Sequence, residues 1–432
     1  MQVAVVVFAL TTTATGGGRE ALGEGAKRVR SSLADQPLTR ARLLDAMGVV
    51  YTNLGLYDEA LPLLQEAADV RAARLSGSDP ELAASLHDLA TLHHHREAYD
   101  LAEPLYRRAL AIREAALGPE DPAVAMSLNH LAALLRGKGE YAAAVPLYER
   151  AIGISEKALG EDHPDVGVMC NNLAAIFRLQ GDYARARPLY ERSLRIAEKA
   201  LGKDHPDVAT DVNNLGVLAR DTGHLDEALV LFERSLLLCE KATGPDHPDV
   251  AITLLNLGNV QYARGDLEKA SPLLERVVAI FARALGGESP SLVQARADLG
   301  RVRLAQGRLG EARTLLEGSS AACRQLLARD SASPRMRGLL ASALVELGRL
   351  REREGDPRAA RACWEEALEA VAGIAGDAGA VSFRNARAKA LLLLGRVDEA
   401  RPVAAALVAT GWSDPDLLAL CRARGLPVRP GA

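Results

Sequence analysis

The sequence predicts an all-α fold, a right-handed superhelical solenoid of antiparallel helix pairs, on three observations. The first is self-similarity: the stretch from His205 to Asp246 matches the chain again every 42 residues, and proline marks that period at Pro80, Pro122, Pro164, Pro206, Pro248 and Pro290. The second is a pair of further ladders. Proline recurs at Pro62, Pro104, Pro146, Pro188 and Pro272 with a break at Val230, and alanine holds one register at Ala60, Ala102, Ala144, Ala186, Ala228, Ala270 and Ala312. The third is the pattern inside one period, where Val208, Val212, Leu215, Gly216 and Ala219 fall at helical spacing and Ala228, Leu231, Phe232, Ser235 and Leu238 do so again. A fixed period of this kind marks stacked units that each cover only half of their apolar surface alone.

Each element follows from local chemistry. Pro206 suits the first turn of a helix, where a missing N–H costs nothing. Gly223 ends that helix and His224–Leu225–Asp226 start its partner. Gly216 and Ala228 are small where the two helices meet, because a larger side chain would wedge them apart. The prolines of the second ladder lie just inside second helices, where each removes one backbone hydrogen bond.

In chain order, residues 1–18 read as a disordered tail and 19–37 as an N-terminal capping helix, basic and amphipathic from Arg19 to Ala34. Seven 42-residue repeats are expected over 38–331, the first with Leu43, Leu44, Met47, Gly48 and Tyr51 as its stripe. Two shorter, degenerate repeats follow over 332–410, one carrying Leu347–Gly348, Gly355, Ala360, Trp364 and Ala367, the other Gly395, Ala400 and Leu407. A C-terminal capping helix and tail close the chain over 411–432, with Ser413–Asp414 as cap, Pro415 in the first turn and Gly425 as stop. Its expected task is to cover the last apolar face of the stack.

Composition narrows the function. At 432 residues and 48% hydrophobic the chain has a large core, but repeats spread it lengthwise. A net charge of −4 argues against nucleic acid as the partner. Cys170, Cys239, Cys323, Cys363 and Cys421 are odd in number and never in a Cys-x-x-Cys pair, which fits reduced thiols and a cytoplasmic setting. No stretch reaches the ~20 apolar residues of a spanning helix. Val3–Leu10 is apolar, yet short and without a preceding basic residue, which leaves a signal peptide and a mis-started N-terminus both open.

The repeat resembles the tetratricopeptide repeat through Leu215–Gly216, the turn at Gly223, Ala228, Phe232 and Ser235. Its long form, with NNLA at Asn171–Ala174, NNLG at Asn213–Gly216 and DHPDV at 162–166, 204–208 and 246–250, is similar to the repeats of kinesin light chains and their bacterial relatives. The entry segment 26–60 also resembles the start of the repeat region in some bacterial serine/threonine protein kinases. Kinase motifs themselves are missing from the chain.

That resemblance implies a binding scaffold whose first helices line a concave groove. The position before the Leu-Gly or Leu-Ala pair is then Ala46, Asp88, His130, Asn172, Asn214, Asn256 and Asp298. The position before it supplies Asn129, Asn171 and Asn213, and Arg136, Arg178 and Arg220 stand further along the same helices. With Asn259, these residues form the expected peptide-binding groove: Asn129, His130, Arg136, Asn171, Asn172, Arg178, Asn213, Asn214, Arg220, Asn256 and Asn259. Asparagine offers donor and acceptor together to a peptide backbone, and an arginine row favours carboxylates. A protein or peptide partner, acidic in character, is therefore expected, with control of a serine/threonine kinase as the alternative.

Other chemistry is thin. His93, His94 and His95 point about 100° apart on a helix and cannot converge on one metal. His87 and His94 share a face near His130, where a polar helix surface is preferred over a surface metal site. His163, His205 and His247 recur once per repeat and are expected to shape the junction before the helix-starting proline, where Asp79, Asp121 and Ser289 stand elsewhere. No G-x-S-x-G or H-E-x-x-H motif occurs, and neither enzymatic activity, cofactor nor metal is expected.

Overall fold

The computed structural model describes residues 17–285, 289–329, 331, 333–373 and 380–428. The expected tail, apart from its last two residues, and the Val3–Leu10 stretch lie outside the described residues. Among these, every regular element is a helix, twenty in all, and the chain divides into two units, 1–163 and 164–432.

The first unit opens with α1 (Gly17–Ser32) and continues with three pairs: α2 (Pro37–Asn53) with α3 (Tyr57–Arg74), α4 (Pro80–His95) with α5 (Tyr99–Leu117), and α6 (Pro122–Gly137) with α7 (Tyr141–Leu159). In the second unit α8 (Pro164–Gln180) pairs with α9 (Tyr183–Leu201), α10 (Val208–Asp221) with α11 (Leu225–Thr243), and α12 (Pro248–Ala263) with α13 (Leu267–Leu285). There follow α14 (Pro290–Ala305) with α15 (Leu309–Arg329), α16 (Pro334–Arg353) with α17 (Pro357–Val371), α18 (Val381–Leu393) with α19 (Val397–Ala409), and finally α20 (Pro415–Ala423).

Capping explains where first helices begin. Asp79 and Asp121 accept from the backbone N–H two residues on, each at 2.8 Å, and the His247 ring accepts from Asp249 N–H at 3.2 Å. The repeated histidine thus serves the junction, as its register suggested. Pro206 differs from the expectation: α10 starts at Val208, and Pro206 sits in a tight turn closed by Val208 N–H to the His205 carbonyl at 3.1 Å. A tightened first turn of this kind shifts a helix start by a residue or two.

Packing within a pair follows from side-chain size. Ala228 and Phe232 are fully buried, and a Cβ built on Gly216 would stand 2.7 Å from the Phe232 ring. Leu231, expected in the same stripe, is only half buried. Ser193, Ser235 and Ser319 are buried because each hydroxyl donates to a first-helix carbonyl 26 residues back, Gly167, Ala209 and Val293, at 2.8, 2.9 and 3.2 Å. None of the five cysteines, all among the described residues, is in a disulfide. No described helix is long and apolar enough to cross a membrane.

Candidate functional site

In the second unit the expected groove residues form a network from helix to helix. Asn214 Nδ2 donates to Asn171 Oδ1 and Asn256 Nδ2 to Asn213 Oδ1, both at 2.9 Å and both across 43 residues. The row continues from Asn259 Nδ2 to Asp298 Oδ2 at 3.1 Å, with Arg301 donating to Asn259 Oδ1 at 2.8 Å. An amide carries donor and acceptor on one plane, so a register of asparagines links α8, α10, α12 and α14 head to tail. Asn172 stands beside Asn171, half buried.

The arginines are not a free positive row. Arg178 pairs with Asp221 at 2.9 Å and Arg220 with the same carboxylate at 2.8 Å, and the Asp221 side chain is 2% exposed. Burial alone would lower the Arg178 guanidinium, but Asp221 and Tyr190 outweigh it and hold it above its usual value. Arg220 also donates to Asn256 Oδ1 at 3.0 Å. The arginine row expected to favour carboxylates is therefore partly answered from within in this unit, because one buried carboxylate pairs with both cations and offsets one of their two charges. Asp221 is absent from the repeat pattern: the same register holds Gly137 and Leu179 in earlier repeats.

The first unit builds its face differently. Asn129, His130 and Arg136 lie on α6, half buried. The His130 ring stands 4.5 Å from that of His87, which meets the Tyr106 ring edge-on at 5.2 Å, and His94 approaches Tyr106 at 6.3 Å. His87 is only 8% exposed, so the polar surface expected there is in fact a packed cluster. Burial, reinforced by His130 and Arg113, pushes the His87 imidazole down to about 2, and burial with His95 and His130 nearby pushes His94 down to about 4. Burial next to Asp45 raises the Asp88 carboxyl to about 7. Among the described residues His87 Nδ1 has no hydrogen-bond partner, Arg136 has no ion pair, and no group of three His, Cys, Asp or Glu could hold a metal.

Sequence reasoning missed a further layer in the second unit. Arg301 lies over the Tyr262 ring at 4.3 Å, and the Tyr262 hydroxyl donates to Asp416 at 3.1 Å. Arg349 pairs with Asp416 at 3.1 Å and with Glu346 at the same distance, while Lys389 pairs with Asp414 at 2.8 Å. Burial would raise the Asp416 carboxyl, but Lys389, Arg301 and Arg349 together hold it below the usual carboxylate range. Ser413 N–H donates to the Asp221 carbonyl at 2.9 Å and Arg384 to the Gln180 carbonyl at 2.7 Å. The C-terminal segment thus lies on the helices that carry the asparagine row. The available signal was the loss of period after residue 331, which frees these positions from the repeat's constraints.

Comparison with known proteins gives these faces a context. A tetratricopeptide repeat family model matches residues 39–115, 83–157, 123–199, 166–236, 210–283 and 262–325, and a second tetratricopeptide repeat model matches 345–415. Among solved structures, BtubC (BKLC) from P. vanneervenii is 29% identical, covering 54% of this chain and 92% of its own, with a TM-score of 0.43. A putative kinesin light chain from Podosopora anserina with nearly identical TPR-like repeats is 22% identical, covering 58% of this chain and 100% of its own, with a TM-score of 0.30. A Rap protein complexed with competence and sporulation factor is 15% identical over 87% of this chain and 98% of its own, with a TM-score of 0.57, a likeness of fold. No curated protein matches the chain.

Proposed function

The chain belongs to the tetratricopeptide repeat family, generally a non-catalytic scaffold for protein–protein interaction, and from that premise we propose that it binds a partner segment along its first-helix faces without catalysing a reaction. The observation that supports this is the single polar register on consecutive first helices, set among neighbours that are buried and apolar. In the first unit the contact residues are Asn129, His130 and Arg136. In the second they are Asn171, Asn172, Arg178, Asn213, Asn214, Arg220, Asn256 and Asn259. Amide pairs can exchange a neighbour for a peptide backbone at small net cost, since one hydrogen bond replaces another.

Of the register's three arginines, Arg136 has no ion pair among the described residues, so an acidic segment is the partner class proposed for the first unit. Reversing Arg136, Arg178 and Arg220 together is a poor test, because the last two hold Asp221 in the core. Arg136→Glu alone is the clean one. With an array of acidic peptides as the probe, the variant is expected to bind at least about tenfold more weakly at low salt, with the difference shrinking as salt rises. Its folding stability should move by no more than about 0.5 kcal/mol. Equal affinity of parent and variant at low salt places the acidic contact elsewhere.

A further inference from the structure

A segment that merely caps a solenoid touches the last unit. The C-terminal helices do this: Leu417, Cys421 and Leu426 join Val381, Leu391, Leu392 and Leu407 in one apolar cluster. Their other side is polar and reaches far back along the chain. Ser413 N–H meets the Asp221 carbonyl, Arg384 meets the Gln180 carbonyl across 204 residues, and Asp416 takes the Tyr262 hydroxyl across 154 residues and Arg349 across 67. Ala386 and Ala390 of α18 also join the apolar cluster of α14–α17, but the ties that Ser413 and Asp416 make to α10, α12 and α16 are hydrogen bonds and an ion pair. Such contacts trade with water at small net free energy, so they can open while the cluster stays intact.

The chemistry of the seated segment is specific. Ser413–Asp414–Pro415–Asp416 begins a helix: Asp414 accepts from Leu417 N–H at 2.7 Å as its cap, and Asp416 presents its carboxylate from the first turn. The groups it meets, the Tyr262 hydroxyl, Arg349, Lys389, the Asn385 amide and a main-chain carbonyl, are those that would receive a foreign acidic helix start. We propose that Ser413–Asp416 is an internal ligand of the second unit's first-helix face, holding the place of an acidic partner segment that starts a helix with the same pair of aspartates. This rests on the binding-face reading above and adds to it the partner's chemistry and a condition: the internal segment must leave first. A site filled from within binds an outside ligand with an affinity reduced by the fraction of time it is open.

The test uses the full chain and a labelled peptide of its own residues 411–428. Asp414→Asn with Asp416→Asn keeps a helix-capping side chain at 414 and removes both charges from the internal segment. The variant is expected to bind the peptide at least about tenfold more tightly than the parent, with amide exchange faster in both 208–221 and 411–428. Tyr262→Phe removes one hydroxyl and should release the segment in the same direction by a smaller factor, about threefold in exchange rate, which keeps the test open should the double variant fold poorly. Unchanged exchange at 411–428 in a folded variant overturns the proposal, as does released exchange with no gain in peptide affinity. Tight peptide binding to the released variant, with no binding by an independently isolated acidic partner protein, leaves the internal ligand standing and removes the scaffold reading instead.

Discussion

Arg136 in the first unit and Arg220 in the second occupy one register, and the residue after each decides what it does. With Gly137 beside it, Arg136 has no ion pair among the described residues, whereas the buried Asp221 carboxylate draws both Arg220 and Arg178, each half buried, into a triad. Beside them, His130 packs on His87 and Tyr106, while Asn214 and Asn256 reach the asparagines of neighbouring helices. The cores beneath are alike: Ala144 and Tyr148 are fully buried in the first unit, as Ala228 and Phe232 are in the second. One repeat pattern therefore keeps the packing constant and lets the face diverge, one unit building a titratable cluster and the other a network of fixed charges and amides. A solenoid allows this because within the repeats a face residue answers mainly to the units beside it.

The largest effect should come from breaking the triad. Asp221→Ala leaves two arginines facing each other, and the expected loss of stability is about 2–4 kcal/mol, below the figure for a fully enclosed pair because each guanidinium keeps some contact with water. Denaturant unfolding followed by circular dichroism measures it, and a loss below about 0.5 kcal/mol would show the triad to be incidental. Next, Ala144→Leu and Ala228→Leu should each overpack a helix–helix contact and destabilise by about 1–3 kcal/mol. Similar penalties at the two sites would show that each unit packs its own core in the same way, while a neutral effect at either would mean the repeat register is wrong there.

The smallest effect separates the faces by pH. His87 and His94 have folded pKa values of about 2 and 4, below the ~6.5 of the unfolded chain. The unfolded state then binds protons that the folded state refuses, so their contribution is complete above pH ~6.5 and is lost as pH falls toward the folded values. Asp88, raised to about 7, acts with the opposite sign, because the folded carboxyl keeps a proton that the unfolded one releases above ~3.8. Two histidines outweigh one aspartate between pH 6.5 and 5, and His130, also lowered by burial, adds to them. Each net proton contributes at most about 1.4 kcal/mol per pH unit. Hydrogen exchange should therefore show residues 80–136 losing protection on acidification before 208–263, whose asparagines do not titrate, and His87→Leu should blunt that loss. Equal loss in both regions would remove the distinction.

What the sequence determined by itself is whatever depends on neighbours. The period, the helix starts at Pro80 or Pro248, the close approach at Gly216 and the junction role of His247 all rest on contacts within one repeat or between adjacent ones, and these recur wherever the same residues recur. Asn171, Asn213, Asn214, Asn256 and Asn259 were legible as a recurring polar register for the same reason, although not as partners of one another. What only the tertiary structure decided is the pairing of charges and the depth of burial. His87 looks like surface on a helix wheel and is buried because His130 and Tyr106 come from other helices. Asp221 is an isolated departure from the period, and its value appears only when Arg178, 43 residues earlier, is brought beside it. The return of Asp416 to Tyr262 depends on small rotations accumulated over successive helix pairs, and no local pattern of residues encodes such a sum.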